Sequence, residues 1–190
     1  LAGRATGELS TAADGRTDVV FGEMYFHLPA GAQVYAQQPL PNHAHAMMQP
    51  PTPRGQPTPA AQPLQPIHTT AEALVVGLLY SGGEGAAGNR GDAELTTYRL
   101  DGSALGAALT EDNAEYNLYT AATSISDAYP AAGRPAPSAV FELLRFGRLI
   151  GPDALTPADV PHWRQVRFPG GQGWLNLNAA NVHKFSDADF

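Results

Sequence analysis

Cysteine is missing altogether from these 190 residues. No disulfide framework and no thiolate metal site is therefore available. Charge is scarce as well. Asp, Glu, Lys and Arg together make up 15%, well below the usual quarter, so solubility rests on small polar residues, glycine and proline. Lysine is nearly absent, and ten of the eleven basic residues are arginine, a bias that also fits a GC-rich genome. No apolar run reaches membrane-spanning length, so no membrane partner is expected. The opening Leu1-Ala2-Gly3-Arg4 has neither a Met nor the apolar core of an export signal. The chain is thus expected to be an excised fragment, with any export signal lying outside it. A net charge of −7 argues against nucleic acid as a partner.

What is present favours strands and turns. Twenty glycines and 17 prolines suit many short strands better than long helices. Residues 18–26 (DVVFGEMYF), the turn Leu28-Pro29-Ala30-Gly31 and residues 32–36 (AQVYA) predict a β-hairpin. Nine prolines fall in residues 37–66, a density that removes ladder donors and disfavours helix, so this insertion is expected to be a linker or long surface loop of extended character. Residues 71–81 (AEALVVGLLYS) are a buried strand or a short core helix, and periodicity does not decide between them. Asp101-Gly102-Ser103, between residues 94–100 and 104–109, is a hairpin signal. Residues 115–121 (EYNLYTA) read as another strand. Residues 138–150 have helical propensity interrupted at Gly147. Finally, residues 163–168 (WRQVRF) and 173–178 (GWLNLN) alternate with period two around Pro169-Gly170-Gly171-Gln172.

These last stretches carry a resemblance. Trp163-Arg164-Gln165-Val166 followed by Gly173-Trp174-Leu175, with Ala136-Pro137-Ser138 and Leu143-Leu144-Arg145-Phe146-Gly147 before them, resembles the W-x-x-V and G-W-V pattern of bacterial SH3-like domains over residues 115–182. The resemblance departs at the start, where the family's Asn-Val-Arg stretch is replaced by residues 119–126 (YTAATSIS). It implies a mainly β fold with an SH3-like small barrel over residues 114–185, preceded by an irregular β-rich region (1–113) with its Pro-rich loop and followed by the start of a linker (186–190). Residues 138–190 also resemble a region of modular proteobacterial, type VI secretion-associated peptidoglycan hydrolases, where it lies between lysostaphin-like metallopeptidase and lysozyme-like domains. That resemblance implies a non-catalytic targeting or spacer module of a hydrolase acting in the periplasm or at the wall of a target bacterium. Its partners would be peptidoglycan or the neighbouring catalytic domains, and it would hold no cofactor.

Residues 128–185 hold six basic side chains against three acidic ones, a basic unit in an acidic chain that suits a wall whose peptide stems carry carboxylates. Tyr129, Arg145, Arg148, Trp163 and Trp174 are the candidate ligand contacts, the two tryptophans being also the natural core of a small barrel. Two other classes stay open. One is an interaction module binding an immunity or delivery protein. The other is part of a zinc-dependent amidase or peptidase. His43-Ala44-His45 has the H-x-H spacing that places two imidazoles on one face of a strand, with His27 and His68 as further ligands, although it sits in the proline tract, where solvated loop histidines are the default. Gly83-Glu84-Gly85-Ala86-Ala87-Gly88 matches a dinucleotide loop but leads toward a strand rather than a helix. The carboxylate pairs Glu111-Asp112 and Asp187/Asp189 read as solvated rather than acid–base partners.

Overall fold

The computed structural model describes residues 9–11, 17–19, 23–81, 91–146 and 159–186. In chain order the elements are β1 (Leu9–Thr11), β2 (Thr17–Val19), β3 (Glu23–Leu28), β4 (Gln33–Val34), β5 (Met47–Met48), β6 (Gln62–Pro63), β7 (His68–Thr69), β8 (Leu74–Ser81), β9 (Asp92–Arg99), β10 (Leu109–Glu111), α1 (Ala114–Asp127), α2 (Pro137–Phe146), β11 (Trp163–Phe168), β12 (Gly171–Asn176) and β13 (His183–Ser186). The chain is mainly β. Among the described residues the strands form one five-stranded sheet and four two-stranded ladders, none of them a closed barrel.

The large sheet runs β10-β9-β8-β3-β13 and is antiparallel throughout. Its inner face follows from alternation. Phe26 and Leu28 of β3 lie opposite Val76 and Leu74 of β8, and Leu78 lies opposite Leu95 of β9. All six are essentially inaccessible to water. Burial of this kind is worth about 1.5–3 kcal/mol per large side chain. Val34, Val166, Leu175 and Leu177 close over the same face. The β11–β12 hairpin thus packs as a second layer on the sheet. On the sheet's opposite face, Tyr25 stacks on Phe185 of β13 with ring centroids 5.3 Å apart.

Three expected elements come out otherwise. Residues 18–36 are not a hairpin: β3 pairs with β8 and β13, while β4 pairs with β7. The chain does turn at Gly31, which has a φ of 93°. However, Phe26 and Leu28 find a long apolar partner in β8, so the returning segment joins the second layer. Residues 115–121 are helix, not strand. Leu118, Ala122 and Ile125 recur at helical spacing and bury against Val140 and Leu144 of α2, so tertiary packing overrides the local β pattern. Finally, the division at residue 113/114 does not separate two cores. Phe26, Val76 and Leu95 share one cluster with Val166, Leu175 and Leu177, and β13 is a strand of the N-terminal sheet.

Other expectations resolve into one of their options. Residues 71–81 contain strand β8, and residues 138–146 lie in helix α2, which opens with Pro137; Gly147 lies outside the described residues. The proline tract is a long surface loop that folds back on itself. β5 pairs with β6, Leu40 N–H donates to Met47 O (2.8 Å), and Ala46 is buried. After Asp101-Gly102 only Tyr98 and Ala104 bridge, and regular pairing resumes at β10.

The β11–β12 hairpin forms as expected, with Trp163 opposite Asn176 and Gln165 opposite Trp174. It is fastened to β4 by a reciprocal pair, Tyr35 N–H to Trp174 O (2.9 Å) and Trp174 N–H to Tyr35 O (2.7 Å). That approach requires glycine at position 173. A Cβ there would sit 2.5 Å from Val34 Cγ1 and 2.8 Å from the Tyr35 carbonyl oxygen, and the backbone oxygen cannot swing aside as a flexible side chain would. Gly173→Ala is expected to lower unfolding stability by about 1–3 kcal/mol, the usual cost of overpacking. Urea denaturation followed by tryptophan fluorescence measures it, and an unchanged midpoint would refute the close-approach role.

Candidate ligand-binding cleft

A polar cluster links the layers beneath the hairpin. On β11, Trp163, Gln165 and Arg167 share one face, and Arg164 and Val166 point inward. Arg164 is 3% exposed. It donates to Glu111 Oε2, to the Tyr80 hydroxyl (2.5 Å) and to His162 Nε2 (3.2 Å). Arg145 of α2 is 6% exposed. It donates to Glu115 Oε1 at 3.2 Å and lies 3.8 Å over the Tyr80 ring. Two guanidinium groups thus meet one tyrosine, each neutralised by its own glutamate.

This environment sets the titration of its neighbours. Burial raises the Tyr80 phenol above its ordinary value, with the Arg164 and Arg145 cations pulling the other way. Burial also holds the His162 imidazole well below 6.5, and the Arg164 and Lys184 cations push it the same way. Nε2 accepts from Arg164, so the neutral ring is the form that fits. Lys184 is lowered by burial, and its ammonium donates to Asn178 Oδ1.

Over this cluster, between α1 and the hairpin, opens a cleft of about 470 Å³. Trp174 and Gln165 line one wall, Tyr116, Asn117, Thr120 and Ser124 the other, with Gln38 and Pro41 at one end and Glu111 within it. A narrower recess continues to His162, Trp163 and Arg164. Tyr116 is 52% exposed. Asn117 Nδ2 donates to Glu111 Oε1 (3.2 Å) and to Asp112 O (3.1 Å). Glu111 therefore accepts on both oxygens, from Asn117 and from Arg164. It is held in an ion pair and serves as a wall of the cleft.

The sequence-derived candidates divide accordingly. Trp163 and Trp174 lie diagonally on one face of the hairpin, the geometry in which cross-strand aromatic groups come within reach. Trp163 is anchored, donating Nε1–H to His43 O at 3.1 Å and meeting Tyr35 edge-on. Trp174 lines the cleft. Arg145 is corrected from ligand contact to internal ion-pair partner, because Glu115 and Tyr80 enclose it. Tyr129 packs half-buried beside the helix pair, and burial raises its phenol. Arg148 lies outside the described residues, as do residues 82–90 with the G-x-G-x-x-G motif, and Asp187 and Asp189.

The basic excess of residues 128–185 is in part internal, since Arg145 and Arg164 are buried and paired, and in part engaged at the surface. Besides the two buried arginines, Arg134 pairs with Asp127 and Arg167 donates to Ala107 O. The histidines are dispersed. His68 stacks on Phe168, His27 faces His183, and His45 lines a second cleft on the far side of Trp163. No three metal-ligating side chains converge among the described residues. Sequence reasoning missed Tyr80, Glu111, Glu115, His162 and Arg164. One signal was available: Arg164 shares the phase of Val166, the inward phase of an alternating strand.

Glu111→Gln would leave the buried Arg164 charge without its counter-ion, an error that ordinarily costs about 3–5 kcal/mol. Chemical denaturation checks it, and a loss below 1 kcal/mol would show that the pair is not needed. His162 gives stability a pH dependence. The unfolded imidazole takes up a proton near 6.5 while the folded one resists, so stability is retained above that pH and falls as pH drops below it, by up to about 1.4 kcal/mol per unit. His162→Gln keeps an acceptor for Arg164 without the titration. The difference in stability between pH 7 and pH 5.5 is expected to shrink in this variant, and equal slopes for the two proteins would exclude His162 as the source.

The chain matches no family model, no curated protein and no solved structure.

Proposed function

We infer that this chain is a non-catalytic module that attaches a secreted peptidoglycan hydrolase to the bacterial wall and orients its catalytic domains. The observation that carries the reading is the cleft between α1 and the β11–β12 hairpin. It is concave and walled by an aromatic pair, Trp174 and Tyr116, with amide and hydroxyl side chains between them. Such a lining holds a polar polymer through stacking and hydrogen bonds. The carboxylate within it is engaged on both oxygens, which suits retention of a ligand better than proton transfer to it.

The W-x-x-V and G-W stretches that resemble bacterial SH3-like domains are the two strands of this hairpin. The kinship is proposed on those residues, with α1 in place of the first strand as a departure from that pattern. Secretion and action in the periplasm or at a target cell's wall belong to the same proposal, and so does the parent hydrolase.

The purified chain is expected to co-sediment with peptidoglycan sacculi and to be released by soluble wall fragments. Retention no greater than that of a control protein of similar size and charge would refute wall binding and favour a protein partner.

A further inference from the structure

We propose that the cleft takes the glycan strand of the wall, a run of neutral N-acetylated sugars, rather than the carboxylate-bearing peptide stems. This deepens the wall-binding reading and rests on it. The first argument is charge. A stem carboxylate is held most strongly by an unpaired guanidinium or ammonium group. Among the described residues lining the cleft and its recess the one cation is Arg164, which is buried and bound to Glu111. Arg145, the other arginine of the cluster, is held by Glu115 beneath α1. An anionic ligand would meet Glu111 with no free cation to offset it.

The second argument is hydrogen-bond polarity. A hydroxyl has one hydrogen to donate. Thr120 gives its hydrogen to Tyr116 O (3.0 Å), and Ser124 gives its own to Thr120 O (3.1 Å). The Asn117 amide directs its N–H groups to Glu111 and Asp112, which leaves Oδ1 as its remaining polar atom. Asn117, Thr120 and Ser124 of the α1 wall therefore present acceptors. Their complement is a ligand rich in donors, as sugar hydroxyls and acetamido N–H groups are. Gln38 and Gln165 carry amides with both functions. Trp174 and Tyr116 both line the cleft, and an indole offers a flat apolar surface for the C–H face of a sugar ring.

The test is a titration of the full chain with the β-1,4-linked hexamer of N-acetylglucosamine, beside a free wall tetrapeptide. The chain holds only two tryptophans, and Trp174 lines the cleft while Trp163 lines its recess and the second cleft, so intrinsic fluorescence responds to occupancy and the cleft variants assign the response. The expected result is a saturable change with the oligosaccharide and none with the peptide. Tyr116→Ala and Gln165→Ala, at exposed positions, are each expected to weaken binding on the order of tenfold with unchanged unfolding midpoints. No saturable change with the oligosaccharide, binding of the peptide in its place, or variants that bind as the parent does would overturn the proposal. Sacculus retention separates the two readings. Chains held by sacculi but indifferent to the oligosaccharide would sink the glycan assignment alone. Binding of the oligosaccharide without sacculus retention would sink wall attachment and leave the cleft's sugar chemistry standing.

Discussion

A guanidinium group carried out of water must have its charge balanced and its N–H donors occupied, and this chain does that twice around one tyrosine ring. Arg164 reaches Tyr80, Glu111 and His162. Arg145 reaches Glu115 and the face of Tyr80. The residues come from β8, β10, α1, α2 and β11, so the cluster joins both helices and the hairpin to the main sheet. Buried ion pairs contribute little net stability compared with well-packed apolar groups, yet losing one partner is costly. Here they tie α1 to its neighbours: Glu115 accepts from Arg145, and Asn117 donates to Glu111, which also accepts from Arg164.

That placement creates the cleft. α1 packs on α2 through Leu118, Ala122 and Ile125, and its Tyr116, Asn117 and Thr120 line the cleft together with Trp174. The hairpin's own position depends on a second constraint, the close contact of Gly173 with Val34 and the paired bonds between Trp174 and Tyr35. Both walls are thus held by contacts within the fold, the α1 side by Glu115–Arg145 and the hairpin by its close approach to Val34 and Tyr35.

The basic character of the C-terminal third illustrates how a charge count misleads. Six basic residues in 58 positions look like a surface patch, but two of them are internal and paired. Alternation in residues 163–168 carried the correction in advance, since it assigns Arg164 to the phase of Val166. No comparable signal marks Arg145, because a ten-residue helix with apolar neighbours fits either face until α1 is in place.

The sequence by itself determined the mainly β character and the β11–β12 hairpin with its tight turn, because these follow from local alternation, glycine and proline, whereas residues 74–81 became a strand only through their pairing with β3 and β9. It also contained the aromatic pair of that hairpin. What only the tertiary structure decided is where the segments go. β3 left its expected hairpin for the better apolar partner in β8, residues 114–127 became helical against α2, and residues 183–186 returned to the N-terminal sheet. Pairings between distant segments depend on buried area summed over the whole core, a quantity no local pattern contains. The cleft is a product of those pairings, so its walls were readable as residues but not as a site.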